Sequence, residues 1–195
     1  MMNSYLRHGI VVASGAAIAA VVALAGCTTD VVSAPETSTG TTTVAAPVST
    51  TVATDAVLAD QLRYLIEEEK LAHDVYVTLG EQWGGRIFTN IAAAEVTHQD
   101  AVARLLPAYG IADPRLAAVG AFTDPALQEL HDRLVAEGSA SPTAAYRVGV
   151  TIEEKDIADL SAYLATDPPT DVAAVMTSLR DGSSNHLAAF QRQLA

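Results

Sequence analysis

FTNIAAAEVTHQDAVARLLPAY, residues 88–109, reads as one face of an amphipathic helix. Apolar residues recur at Phe88, Ile91, Val102, Leu105 and Tyr109 in steps of three and four, the period of a helix that buries one stripe. Continued through the gap, the same stepping lands on Glu95 and His98. A carboxylate on a core-facing stripe must be paired, protonated or bound to a metal, because an isolated buried charge is costly. The Glu-x-x-His spacing points both side chains at one spot, as in bundles that hold metal ions between helices. The competing reading pairs Glu95 with Arg63 or Arg104 and gives His98 a backbone partner. The motif is short enough to arise by accident, so the rest of the chain must decide.

Working back toward the N-terminus, residues 57–83 carry a second stripe of Leu58, Leu62, Leu65, Ala72, Tyr76, Leu79 and Trp83. The vacant stripe position is Glu69. Glu67, Glu68 and Lys70 read as a solvated face. Gly84-Gly85 ends this helix, and Thr89 or Asn90 is placed to help start the next.

Working forward, Gly110, Pro114, Gly120 and Thr123-Asp124-Pro125 interrupt regular structure. Residues 125–137 predict a short helix with Pro125 in its first turn and Gly138 at its end, and His131 on it reads as solvated. This insert is expected to be the long crossover that a bundle with parallel helices requires. A third long helix, from Ser141-Pro142 to about Thr166, has the stripe Tyr146, Val150, Ile157, Leu160 and Leu164. Periodicity places Glu153 on it. The matching pairs Glu69-Lys70 and Glu154-Lys155, with Asp74 and Asp159 each five residues after the glutamate, instead select Glu154; both remain open. Asp156, three residues after Glu153, can reach the same face. After Pro168-Pro169 the last helix, residues 171–194, runs through Val172, Met176, Leu179, Ser183, His186, Phe190 and Leu194.

The N-terminus predicts targeting. Residues 1–27 combine Arg7 and His8, an apolar run from Ile10 to Leu24, and Leu24-Ala25-Gly26-Cys27. This is the form of a lipoprotein signal whose cleavage leaves Cys27 lipidated, and the run is short for a span of roughly 20 residues. An uncleaved anchor helix is the alternative, and both place the chain in the cell envelope, outside the cytoplasm and tied to the membrane. Cys27 is the only cysteine, which excludes intramolecular disulfides, cysteine-ligated zinc and a thiol nucleophile beyond it. Residues 28–55, rich in Thr, Ser, Ala and Pro, lack the large apolar surface that offsets ordering and predict a disordered linker. Residues 56–195 suffice for one domain with a full core. The net charge of −12 disfavours nucleic acid and anionic lipid as direct partners and favours metal cations. There is no Gly-rich phosphate loop and no nucleophile elbow, so nucleotide enzymes and serine hydrolases are unsupported.

Each long helix therefore carries one polar intrusion near its middle: Glu69, Glu95 with His98, Glu153 or Glu154, and His186 with Ser183. Antiparallel packing brings midpoints to one level. Mixed oxygen and nitrogen ligation suits iron or manganese and tolerates zinc.

The runs EEEKLAHDVY, FTNIAAAEVTHQDAV, VGVTIEEKDIADL and GSSNHLAAF resemble the ferritin-like superfamily of carboxylate-bridged di-metal bundles. More closely they resemble a bacterial and archaeal family catalogued as a ferritin-like domain of unknown function. The resemblance covers nearly all of residues 57–195. It implies an all-α, up-down four-helix bundle with a crossover, and metal ligands at Glu69, Glu95, His98, Glu153 or Glu154, and His186. The departure is Ser183, where the superfamily pattern has a glutamate, so a lopsided pair of ions, a single ion and a polar core without metal all stay open. Tyr76, two turns beyond Glu69, is placed to hydrogen-bond an oxygen species at a bound metal. Asp74 or Asp159 is placed to orient a histidine by accepting its other ring N–H. Three functions fit: redox chemistry on iron or peroxide, a non-catalytic binding module that inherited its polar core, and metal storage or delivery without turnover.

Overall fold

The computed structural model describes residues 49–195. The expected signal segment and most of the expected linker lie outside them. Among the described residues there are five α-helices and one short 3-10 turn: α1 Ser49–Trp83, α2 Arg86–Ala103, the turn Leu106–Tyr109, α3 Pro125–Gly138, α4 Pro142–Leu164 and α5 Thr170–Leu194. No strand occurs among the described residues, and no helix there is long and apolar enough to cross a membrane. Helix α1 begins at Ser49 rather than near Val57, inside the stretch expected to be linker. Extending an existing helix fixes one residue per added hydrogen bond, which is far easier than nucleating a new one.

The boundaries follow from local chemistry. Gly84 and Gly85 both have positive φ, 70° and 99°, a corner that only glycine enters without strain. Helix α2 starts directly after it at Arg86, so neither Thr89 nor Asn90 serves as the cap. The expected continuous helix to Tyr109 breaks after Ala103. Pro107 cannot donate to the carbonyl four residues back and its ring conflicts with it, so Leu106–Tyr109 forms a separate 3-10 turn closed by Gly110 at φ 65°. Asp124 caps α3 by accepting from the Ala126 amide at 2.7 Å. Ser141 caps α4 by accepting from the Ala144 amide at 3.0 Å.

Helix α1 packs chiefly on α2 and α4 chiefly on α5, while α1–α4 and α2–α5 contacts close the ring and α3 covers α1 and α4. Two apolar clusters fill the interior. One gathers Val75, Tyr76, Leu79, Phe88, Ile91, Val148, Ile152 and Phe190; the other gathers Leu58, Leu62, Leu65, Val102, Leu160, Val172, Met176 and Leu179. Each long helix passes through both. Helices α1 and α5 run from the second cluster to the first, and α2 and α4 run the other way. The chain must therefore return along the bundle between α2 and α4, and residues 104–141 do so. The buried residues between the clusters are polar on all four helices, so a charged layer divides the core.

On α4 the buried face is Ala145, Val148, Gly149, Ile152, Glu153, Asp156 and Leu160, rotated by about one residue from the expected stripe. Gly149 explains the offset, because a Cβ there would lie 2.6 Å from the Phe190 ring; the aromatic ring occupies that gap. The expected solvated face of α1 is buried instead, with Glu67, Glu68 and Lys70 at 2%, 4% and 6% exposure. Glu67 accepts from the Thr123 and Asp124 amides at 2.6 and 3.0 Å. Lys70 pairs with Asp74, donates to the Ala118 carbonyl at 3.0 Å and lies 4.6 Å from the Phe122 ring centroid. His131, also expected in solvent, is buried beside Phe122 with ring centroids 5.3 Å apart. The crossover folds back onto α1, so these polar groups anchor it.

Candidate metal centre

Glu95 is the middle of the charged layer. Its Oε2 lies 2.8 Å from His98 Nδ1, one turn away on α2, and its Oε1 lies 2.9 Å from His186 Nδ1 on α5. Glu69 Oε2 on α1 is 3.2 Å from His98 Nδ1, and Glu153 Oε2 on α4 is 3.6 Å from His186 Nδ1. The two imidazoles stack with centroids 5.4 Å apart. Every one of these carboxylates is at most 2% exposed. Ligand atoms of Glu95, His98 and His186 lie within 4.8 Å of one another, a separation that one ion can bridge.

Several of these atoms are close without being hydrogen-bonded. Glu69 Oε1, Glu95 Oε1, Asp156 Oδ1 and His186 Nδ1 are all buried and have no hydrogen-bond partner. Buried polar atoms are almost always paired, so four exceptions in one layer require another partner. A cavity of about 20 Å³ touches Glu68, Glu69, Glu95, Glu153 and Asp156, enough to admit an atom the size of a water oxygen or a metal ion.

The remaining contacts brace the carboxylates. Tyr76 donates its hydroxyl to Glu153 Oε1 at 2.6 Å. Ser183 bridges Asp156 Oδ2 and the Leu179 carbonyl, which leaves Asp156 Oδ1 free. The Gly182 Cα lies so near α2 that a Cβ there would meet His98 Nε2 at 2.6 Å; the ring therefore rests on the α5 backbone with Nδ1 toward the acids.

The protonation states report an excess of acid. Burial, then the Asp156 charge, pushes Glu69 well above the ordinary carboxylate range. Burial raises Glu153 to about 7 and Asp156 to about 6, with the Glu95 charge adding to both. Burial works against charge on Glu95 too, but His186 and His98 outweigh it and hold the carboxyl low. Burial alone would lower the histidines. Glu153 and Glu95 instead raise His186 to about 9, and Glu69 and Glu95 raise His98 to about 11. Four acids facing two imidazoles can reach neutrality by holding protons or by binding cations.

The structure thus brings Glu69, Glu95, His98, Glu153 and His186 to one level. Glu154 is exposed and faces away from the layer; the internal match of Glu-Lys pairs misdirects because helix rotation, not a two-residue identity, sets direction. Asp74 binds His73 Nδ1 at 2.8 Å, Lys70 and the Gly120 amide. Asp159 binds Lys155 at 2.6 Å. Neither orients His98 or His186. Arg63 pairs with Asp60, so it does not neutralise Glu95. Tyr76 braces a carboxylate rather than facing open space. Two members were undervalued in the sequence. Asp156 was visible as the second half of Glu153-x-x-Asp156, and Glu68 was hidden in an acidic run that reads as surface.

Residues 58–195 match the family described as "Uncharacterized protein domain (DUF2202)", and the chain belongs to that family. It is 46% identical over 129 residues to uncharacterized protein MJ0754 of Methanocaldococcus jannaschii, an alignment that covers 66% of this chain and 70% of that protein. It is likewise similar to the crystal structure of hypothetical protein MJ0754 from Methanococcus jannaschii DSM 2661, with a TM-score of 0.68 and 44% identity over 70% of this chain and 78% of that one.

Proposed function

We propose that this member of the family binds iron or manganese in the charged layer and uses it in redox chemistry outside the cytoplasm, tethered to the membrane through Cys27. The observation that carries the reading is the contact of His186 Nδ1 with Glu95 Oε1 at 2.9 Å while both atoms lack a hydrogen bond. The two buried atoms are within ion-pair distance but miss hydrogen-bond geometry, and a cation held by both would take the place of the histidine's proton. Glu95, His98 and His186 would form the inner ligand set, with Glu153 beside them. Glu69 and Asp156 would supply further carboxylate oxygens, and Asp156 from α4 would stand in for the acid that Ser183 removes from α5. Four carboxylates with neutral imidazoles match the charge of two divalent ions, as the resemblance to ferritin-like bundles would imply.

The oxygen-rich donor set with two imidazoles suits iron and manganese, and a bound iron would supply electron transfer to dioxygen or peroxide. The chain's own contribution is to brace Glu153 through Tyr76, to present Asp156 through Ser183, and to exclude bulk water with the apolar clusters on both sides. The membrane tether is supported by Leu24-Ala25-Gly26-Cys27 and the apolar run before it.

The test is to load metal-free full-length protein anaerobically with Fe(II) or Mn(II) and measure bound metal by elemental mass spectrometry. Stoichiometric retention that is lost in Glu95→Ala and His98→Ala supports the centre. Failure of the parent to retain either metal overturns it. Loaded protein that consumes neither dioxygen nor peroxide would leave binding intact and remove the redox step, making storage or delivery the function.

A further inference from the structure

The cavity beside the charged layer does not end at the inner acids. Its lining runs from Glu69, Glu95, Glu153 and Asp156 outward to Thr151 and Lys155. Thr151 is exposed, and the Lys155 side chain is 34% exposed. Glu68, 4% exposed, lines the same cavity. One of its oxygens, Oε1, accepts from the Lys155 ammonium. The other, Oε2, is buried and unpartnered. Lys155 is held on its far side by Asp159 Oδ2 at 2.6 Å and the Tyr64 hydroxyl at 2.8 Å, so it keeps two partners if it releases Glu68.

A divalent cation reaching the layer must shed its water, and transfer of a bare ion into a protein interior is prohibitive unless protein oxygens replace the hydration shell step by step. Glu68 offers such a step. It is the residue before Glu69 on α1, lines the cavity, pairs with Lys155 of α4, and has a free oxygen. Resting on the centre proposed above, we propose that Glu68 is a transit ligand. A divalent cation passing Thr151 displaces the Lys155 ammonium from Glu68, is held there, and is handed across one residue to Glu69 and the inner cluster. Lys155 is the stopper of this passage: its charge occupies the position in the metal-free protein and repels a second cation while the first is in transit.

The experiment follows Co(II), whose visible absorbance reports ligation, in stopped flow with metal-free full-length protein, and then follows its release into excess chelator. A transit ligand lowers the barrier in both directions. Glu68→Gln therefore slows uptake and release together, by roughly tenfold if one carboxylate's share of the dehydration is lost, and Lys155→Met speeds both. The opposite signs separate a passage from a general loss of folding, which would move both variants the same way. Uptake and release in Glu68→Gln that match the parent overturn the passage, as does faster release with unchanged uptake, which would make Glu68 an ordinary ligand. Lys155→Met that is no faster than the parent overturns the stopper. A parent that takes up no Co(II) overturns the centre itself, an outcome distinct from normal uptake with unmoved rates.

Discussion

The α1–α2 pair and the α4–α5 pair enclose the same charged layer with different chemistry. In the first pair the acids are Glu69 on α1 and Glu95 on α2, and His98 follows Glu95 by one turn. In the second pair α5 has Ser183 where α2 has Glu95, one turn before His186, and both acids, Glu153 and Asp156, come from α4. The hydroxyl of Ser183 reaches Asp156, so the shorter side chain makes room for an acid from the neighbouring helix. Each pair thus contributes two acids to the layer, one from each helix in the first pair and both from α4 in the second.

The largest effect is expected at Glu95, which both pairs of helices share through His98 and His186. Glu95→Ala leaves His98 and His186 facing each other without the acid that both contact. Removing one partner of a buried ionic group costs about 3 to 5 kcal/mol, read in denaturant unfolding of the metal-free protein, and metal retention should be lost with it. A smaller effect is expected from Ser183→Ala, which removes the hydroxyl that Asp156 accepts from. Metal affinity should fall by roughly 10- to 100-fold, the usual consequence of removing a group that orients a ligand, with little change in the folded state. Tyr76→Phe should do the same to Glu153 in the same assay. If Ser183→Ala binds metal as the parent does, Asp156 is not a ligand and the two pairs are not equivalent.

The pH dependence sharpens the comparison further. Glu153, Asp156 and His186 are all raised in the folded protein, to about 7, 6 and 9. A raised group contributes stability that is complete below its unfolded value and is lost as pH climbs through its folded value. Glu69 and His98 of the first pair are raised as well, so metal-free protein should lose stability from pH 5 to pH 9 with both pairs contributing. Glu95 acts in the opposite sense, but its window lies below the ordinary glutamate range. Bound metal needs deprotonated ligands, so the gap in melting temperature between Mn(II)-loaded and metal-free protein should widen over the same interval. A gap that narrows would contradict the assignment. The smallest effect belongs to Glu154→Ala, within about 0.5 kcal/mol and without change in metal retention, because Glu154 is exposed.

The four helices and the level at which they carry acid were legible because the periods of three and four are set by burial, and Glu69, Glu95 and His186 occupy positions that a buried stripe demands. Where the reading failed, the reason was a neighbour that the helix's own sequence does not encode. Glu68 looks solvated until Lys155 of α4 is paired with it, and Glu67 and Lys70 until residues 104–141 are laid over them. The same contact buries His131. Periodicity already favours Glu153 over Glu154, and the rotation of α4 that places it inward is fixed by Gly149 of α4 against Phe190 of α5. The break after Ala103 was legible in Pro107 but was masked by apolar residues that kept the stripe's spacing through the turn.

At Gly182 the imidazole of His98 leans against bare backbone. Two helices far apart in sequence are thereby keyed like a tooth in a notch, and sliding α5 by a single residue would drive a side chain into the ring. That makes position 182 a diagnostic for relatives of this chain: those with glycine there have kept space for the histidine, and any that carry a larger residue should also have given up His98.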